Sequence, residues 1–277
     1  MKYKIVTDSS SDLLTLNGLP FRVAPLKIIT DVKEYVDDKN LNVYRMVGEL
    51  QTYKGKSSTS CPNENDWLES FGDAENIFCV TITGTLSGSY NAALLAKRNY
   101  EESHKRSRVF VLNSLSAGPE LILIIEKIRE LILKGLEFDE ICEQITSYKE
   151  NTGLLFMLES MRNLANNGRV SPLVAKMAGL LGIRVVGKAS DRGDLEPLNK
   201  CRGEENAVKT IVEHIKDAGN NKGKIIISHC LNEYAAKLLK SKLLIENPMA
   251  DIRIKECRGL CSFYAEKGGM LVGFEKF

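Results

Sequence analysis

The sequence predicts an α/β fold: an N-terminal, mostly parallel-sheet α/β domain over residues 1–150, then an α+β domain with antiparallel strands over residues 151–277. Three observations lead there. The first half repeats one unit, a short β-branched apolar run followed by a turn rich in Ser, Gly, Asn or Asp and then by apolar residues at helical spacing. Such alternation builds a parallel sheet covered by helices. The second half instead carries a hairpin signature and short strands adjacent in sequence. A length of 277 residues exceeds one typical domain and falls short of three.

The runs at 3–7, 78–83 and 109–113 read as the parallel strands, and each ends in a polar turn. These turns are Asp8-Ser9-Ser10-Ser11, the stretch 83–91, and Asn113-Ser114-Leu115-Ser116-Ala117-Gly118. Ligands of open parallel sheets sit beyond such carboxyl ends. Pro62 predicts a helix from 62 to 71 with Cys61 at its cap and Glu64 in its first turn, which frees Thr59 and Ser60 from capping. Pro119 predicts a helix over 119–134 stopped by Gly135; its start, Leu121-Ile122-Leu123-Ile124-Ile125, is apolar all round and so reads as buried against the sheet.

After Glu150 the texture changes. Residues 154–164 are apolar with two methionines and stop at Asn166-Asn167-Gly168, and Ser171-Pro172 opens a second helix to about Gly182. Strands at 184–189 and 195–201 flank the tight turn Asp191-Arg192-Gly193-Asp194. A helix over 204–217, a strand over 224–229, a helix over 233–245 and strands over 252–257, 260–265 and 270–274 complete the reading.

Composition narrows the function. Lys plus Arg (38) nearly balance Asp plus Glu (36), a net charge of +2 that leaves no electrostatic footprint for nucleic acid or an anionic membrane. The chain is 43% hydrophobic and 27% charged, as soluble globular proteins are, with a mean hydropathy of −0.16. Its start turns polar too early for a signal peptide, and apolar runs such as 121–125 are far too short to span a bilayer. A cytoplasmic location without integral membrane association is expected. Seven cysteines, an odd number, fit reduced thiols, and Cys257 with Cys261 lacks a second pair, so no metal is expected.

The dinucleotide fingerprint and the P-loop are absent, and Gly84-Thr85-Leu86-Ser87-Gly88 places its serine one position late for an esterase elbow. His104 and His214 read as surface or structural residues. His229 ends a strand, a favoured functional position, yet reads as a structural hydrogen-bonding group. With no base assigned beside Ser87, no catalytic residue is expected and a binding site fits better. Its best candidates are two hydroxyl-rich segments leading into helices, Ser57-Ser58-Thr59-Ser60-Cys61-Pro62-Asn63 and Thr83-Gly84-Thr85-Leu86-Ser87-Gly88-Ser89-Tyr90-Asn91. They hold more hydroxyls than two caps require, and hydroxyls with helix-start N–H groups hold a carboxylate or phosphate without a cation.

Read in order, the segments resemble the DegV family, bacterial fatty-acid-binding proteins that include the lipid-carrying subunits of fatty acid kinase. The likeness spans nearly the full length. It rests on Thr7-Asp8-Ser9-Ser10-Ser11-Asp12, Ser58-Thr59-Ser60-Cys61-Pro62, Leu86-Ser87-Gly88-Ser89-Tyr90-Asn91-Ala92-Ala93, Asn113-Ser114, residues 158–164, Asn167-Gly168-Arg169-Val170-Ser171, residues 180–186 and Lys200-Cys201-Arg202-Gly203. The resemblance implies a long-chain fatty acid held between the domains, its acyl chain in an apolar tunnel and its carboxylate on Thr59, Ser60, Ser87 and Gly88. No cofactor is implied, only the fatty acid as ligand. It further implies an ATP-binding kinase subunit as partner, with Arg169 and Arg202 near the docking surface.

One departure stands out: where many members carry a histidine in a Gly-x-His-x-Gly-Pro-Gly segment, this chain reads Cys261-Ser262-Phe263-Tyr264-Ala265-Glu266-Lys267-Gly268-Gly269. Tyr264 takes the histidine's place as a carboxylate donor, but it carries no positive charge near neutral pH. That leaves lipid binding in place and puts coupling to a kinase in question. Cys61 likewise replaces the glutamine common in the first motif, which alters the mouth of the site. The rival readings are an enzyme acting on a small phosphorylated or carboxylated metabolite at the same loops, which needs a base such as His229 or Asp8 near Ser87, and a protein-interaction module.

Overall fold

A parallel sheet buried on both faces demands near-continuous apolar strands, and the first half supplies them. In the computed structural model, which describes residues 2–179, 181–219 and 223–276, β1 (Tyr3–Asp8) is buried from Lys4 onward. It is followed by β2 (Phe21–Ala24), β3 (Lys27–Thr30), β4 (Glu34–Val36), α1 (Val43–Thr52), β5 (Ser57–Ser60), α2 (Glu64–Phe71) and β6 (Asn76–Thr81). Then come α3 (Ser89–Ser103), β7 (Arg108–Asn113), α4 (Pro119–Leu133) and α5 (Phe138–Glu150). The order β2-β1-β6-β7 forms one sheet, parallel at every pairing. A second sheet, β4-β3-β5, is small and antiparallel.

The second half contains β8 (Thr152–Leu158), α6 (Arg162–Asn166), α7 (Pro172–Ala175), β9 (Ile183–Ala189), β10 (Leu195–Arg202), α8 (Glu204–Asp217), β11 (Ile225–His229), α9 (Glu233–Glu246), β12 (Ile252–Glu256), α10 (Gly259–Ala265) and β13 (Met270–Glu275). Its sheet runs β10-β9-β8-β13-β11-β12, antiparallel except where β12 lies parallel to β11. The mixed α/β architecture expected from the sequence is therefore present. Among the described residues, strands before and after residue 150 belong to different sheets.

Helix α4 lies between the two large sheets. Leu121 through Ile125 are all at most 1% exposed, sharing a core with Ile5 and Phe78 on one side and Ile226 on the other. Burial of each such side chain is worth about 1.5–3 kcal/mol, so this helix joins the halves through its apolar girth. Arg253 of β12 adds a two-pronged grip on Glu126 of α4, at 2.7 and 2.6 Å.

Five sequence expectations need correction. Residues 154–164 do not form one helix: Leu154 to Leu158 lie in strand β8, paired with β13 and β9, and a helix starts only at Arg162. Residues 260–265 form helix α10, not a strand. Its start is fixed by distant carboxylates: Asp37 accepts the Gly259 and Leu260 N–H groups at 2.9 and 2.8 Å, and Asp12 accepts that of Arg258 at 2.7 Å. Negative charge at a helix start favours helix, and no local pattern announces it. The helix from Pro172 ends at Ala175 rather than near Gly182, because Gly179 and Gly182 take positive φ of 87° and 74°; Leu180 lies outside the described residues. Helix α2 begins at Glu64, capped by Asn63 and Asp66 through reciprocal bonds of 3.1 and 2.8 Å, not at Pro62 with Cys61. Finally, Ser57–Ser60 is a strand paired with β3 and does not open a helix. Elements β2, β3, β4, α1 and α5 stand outside the sequence expectations.

Candidate functional site

The two hydroxyl segments face one cavity of 350 Å³, within the roughly 300–1,000 Å³ of small-molecule sites. Thr59, Ser60 and Cys61 enter from the end of β5; Ser87 and Gly88 enter from the loop before α3. Arg169 and Tyr264 complete this polar end. The remaining wall is apolar: Leu154, Phe156 and Leu158 from β8, Leu271 from β13, Leu195 from β10 and Leu260 with Ala265 from α10. Leu26, Ile82 and Ala117 come from the first half, so both halves of the chain build the cavity.

Asp8 shapes the polar end from beneath. It ends β1, is fully buried, and places both oxygens on donors. Oδ1 accepts from the Ser10 N–H and hydroxyl at 3.2 and 2.5 Å, while Oδ2 accepts from the Ile82 N–H at 3.0 Å and the Ser89 hydroxyl at 2.6 Å. Ile82 and Ser89 bracket the loop that carries Ser87, so one carboxylate oxygen ties both ends of that loop. Burial pushes the Asp8 carboxyl above its usual range, and the four donors oppose the rise.

Helix α3 presents an open N-terminus there: Gly88 is its cap, no side chain caps it, and its first turn holds no acidic residue. The Ser89 N–H donates to the Ser87 hydroxyl at 3.3 Å, and the N–H groups that follow it, with the helix dipole, attract an anion at such a point. Helix α2 makes no such offer, because Asn63 and Asp66 satisfy its start. Thr59 and Ser60 therefore contribute side chains alone, and the Thr59 hydroxyl lies 2.7 Å from the Tyr264 hydroxyl. Burial pushes the Tyr264 phenol upward, which keeps it neutral and able to donate. Arg169 is oriented by its Nε donating to the Leu86 carbonyl at 3.1 Å and its Nη1 to the Asn167 carbonyl at 2.5 Å.

The structure thus brings Thr59, Ser60, Ser87, Gly88, Tyr264 and Arg169 together. It does not bring in Arg202, which is exposed at the end of β10 and outside the lining. No histidine or carboxylate lines the cavity among the described residues. His229 is 5% exposed, and its Nδ1 accepts the Asn232 N–H at 3.3 Å. Asp8 is engaged by Ser10, Ile82 and Ser89 rather than by Ser87. A larger groove of 650 Å³ lies beyond α10, lined by Glu159, Arg162, Arg184 and Glu266, and holds none of the residues assigned to the carboxylate or the docking face. Among the described residues, no group of three or more His, Cys, Asp or Glu is placed to hold a metal ion, and no helix is long and apolar enough to cross a membrane.

Sequence reasoning missed the clamp made by Asp8 and the α10 anchors Asp12 and Asp37. An Asp ending the first strand before three serines was the available signal for Asp8. For Asp37 there was none, since it lies outside every recognised element and acts on a helix more than 200 residues away.

Residues 2–276 match the family model described as "Uncharacterised protein, DegV family". The chain belongs to the DegV family. Among curated DegV relatives, a DegV domain-containing protein of Streptococcus pneumoniae is 43% identical over 279 aligned residues, covering 99% of each chain. Two solved DegV-type structures are close in shape. The Streptococcus pneumoniae Fatty Acid Kinase (Fak) B3 protein loaded with linoleic acid shares 43% identity at a TM-score of 0.98, with both chains fully covered. A DegV family protein from Eubacterium eligens loaded with heptadecanoic acid shares 41% identity at a TM-score of 0.97, with 99% of each chain covered.

Proposed function

We propose that this chain binds a long-chain fatty acid, with the carboxylate on Thr59, Ser60, Ser87, Gly88 and Tyr264 and the acyl chain along the Leu- and Phe-lined cavity. The observation that carries the reading is one cavity with hydroxyls and an uncapped helix start at one end and an apolar wall beyond. The relatives that hold linoleic and heptadecanoic acid support it. Each buried methylene contributes about 0.8 kcal/mol, so an acyl chain of about sixteen carbons supplies on the order of 12 kcal/mol before the costs of association. The tail supplies affinity and the hydroxyls set orientation.

The protein is a non-catalytic carrier in this reading, acting in the cytoplasm without a cofactor and presenting the carboxylate to an ATP-binding kinase subunit. Likeness to the Fak B3 protein supports the partner, and exposed Arg202 is assigned to the docking face. Arg169, inside the cavity lining, faces the head group as well as the mouth. The division into domains at residue 150 belongs to the same proposal, with the ligand between them.

Displacement of a fluorescent fatty acid tests the binding. Thr59→Ala with Ser87→Ala removes two hydroxyls, each worth about 1–1.5 kcal/mol, and is expected to weaken binding about thirtyfold to a hundredfold. Wild-type protein that binds no fatty acid overturns the proposal. For the partner, acyl-phosphate formation with an ATP-binding kinase subunit is the assay: Arg202→Glu is expected to abolish turnover while lipid remains bound, and unchanged turnover rejects the docking role.

A further inference from the structure

The head-group end of the cavity is built over a buried negative charge. Asp8 is fully buried, and no Lys, Arg or His lies within ion-pair distance of it among the described residues. Its four hydrogen bonds all come from neutral donors. Two of them reach it from Ile82 and Ser89, the bounds of the loop that presents Ser87 and Gly88. Asp8 also lies within electrostatic reach of the Cys61 thiol, which lines the same end of the cavity. A carboxylate arriving at Ser87 and Thr59 therefore places a second negative charge beside one that already lacks a counter-ion. Like charges sharing a poorly solvated site do not both stay ionised.

We infer that head-group binding in this cavity is linked to uptake of a proton by Asp8. The inference rests on the proposed binding of an anionic lipid. The proton has a place to go: the Ser10 hydroxyl at 2.5 Å and the Ser89 hydroxyl at 2.6 Å each accept from a neutral Asp8 carboxyl as readily as they donate to an ionised one. Burial already raises the Asp8 carboxyl above its usual range, so the added charge of a ligand has less far to push it. The clamp on the loop persists through the exchange, because the Ile82 and Ser10 N–H groups still find a carboxyl oxygen.

Other titratable and charged groups stand nearby. On the cavity side stand Cys61, Tyr264 and Arg169, and within β6 stands Cys79; burial raises both thiols and the phenol. Beyond the 3-10 turn Ser9–Ser11 stand Asp12 and Asp37 with Arg258. Asp12, pushed up to about 7, is the one group there whose titration would be mistaken for that of Asp8, and it needs its own control.

The sign follows: protonation removes the repulsion, so anion affinity is highest at low pH and falls as pH rises through the Asp8 transition. Dodecyl sulfonate is the probe, because its charge does not change with pH, and its affinity is read by displacement of a fluorescent fatty acid from pH 5 to 9. Wild type is expected to lose up to about tenfold in affinity per pH unit within the transition, Asp12→Asn to keep that slope, and Asp8→Asn to lose it. Calorimetry of wild type in two buffers of different ionisation enthalpy reads the proton directly, so the result stands even where Asp8→Asn fails to fold. A fractional to full proton taken up per ligand is expected. Tight binding with no proton uptake and a flat pH profile overturns the linkage and leaves the lipid site standing; no binding of sulfonate or fatty acid at any pH overturns both. A slope that survives Asp8→Asn assigns the proton elsewhere and also overturns the inference.

Discussion

The hydrogen bond between Thr59 and Tyr264 joins residues 205 positions apart and closes the polar end of the cavity. Tyr264→Phe removes the donor while keeping the ring, and is expected to weaken fatty-acid binding about tenfold with little change in stability, checked by displacement and thermal melts. Asp12 tests the electrostatics of the same region through stability. Burial raises its carboxyl to about 7, well above the roughly 3.9 of an unfolded chain. The protonated form is thus favoured by folding, and that stabilisation is complete below about pH 4 and lost as pH rises through about 7. Asp12→Asn keeps an acceptor for the Arg258 N–H and removes the buried charge. It is expected to be more stable than wild type at both pH 5 and pH 8, with the gain on the order of 2–3 kcal/mol larger at pH 8, read from urea titrations at both values. Residues of this kind differ in legibility: Thr59 and Ser87 stand out because their segments exceed capping needs, whereas Tyr264 and Arg169 entered only through family resemblance. Asp8 was visible as a strand end but not as a clamp, since its partners Ile82 and Ser89 are more than 70 residues away.

At the scale of elements, α4 and α10 show opposite cases. Helix α4 was legible because five consecutive apolar residues after Pro119 leave no polar face, and full burial between two sheets is the physical answer to that pattern. Ile124→Ala is expected to cost about 2–5 kcal/mol in a urea titration, as cavities in full cores do. Helix α10 was misread as a strand because six largely apolar residues carry no decisive period, and its start is decided by Asp12 and Asp37 from the other half of the chain. Gly259 is part of that anchor: a Cβ there would meet Leu41 Cδ2 at 2.5 Å and the Asp37 carboxyl at 2.7 Å. Gly259→Ala is expected to destabilise by about 1–3 kcal/mol and to loosen lipid binding, because Leu260, Cys261 and Tyr264 line the cavity from this helix.

At the scale of the molecule, two sheets sandwich α4, and the lipid cavity opens where both halves meet. The hairpin β9–β10 reaches across to the first half, where the Thr85 hydroxyl donates to the Gly193 carbonyl at 2.9 Å. The α/β grammar of the first half and the hairpin of the second were readable from period and turn chemistry, but their mutual packing was not, because it depends on pairs remote in sequence. Whether this assembly carries a fatty acid is read by denaturing mass spectrometry of lipid extracted from the purified protein. A stoichiometric long-chain acyl species in wild type, strongly reduced in the Thr59→Ala, Ser87→Ala double variant, is the predicted result. Protein that releases no acyl species and takes up none when fatty acid is added is not a fatty-acid carrier.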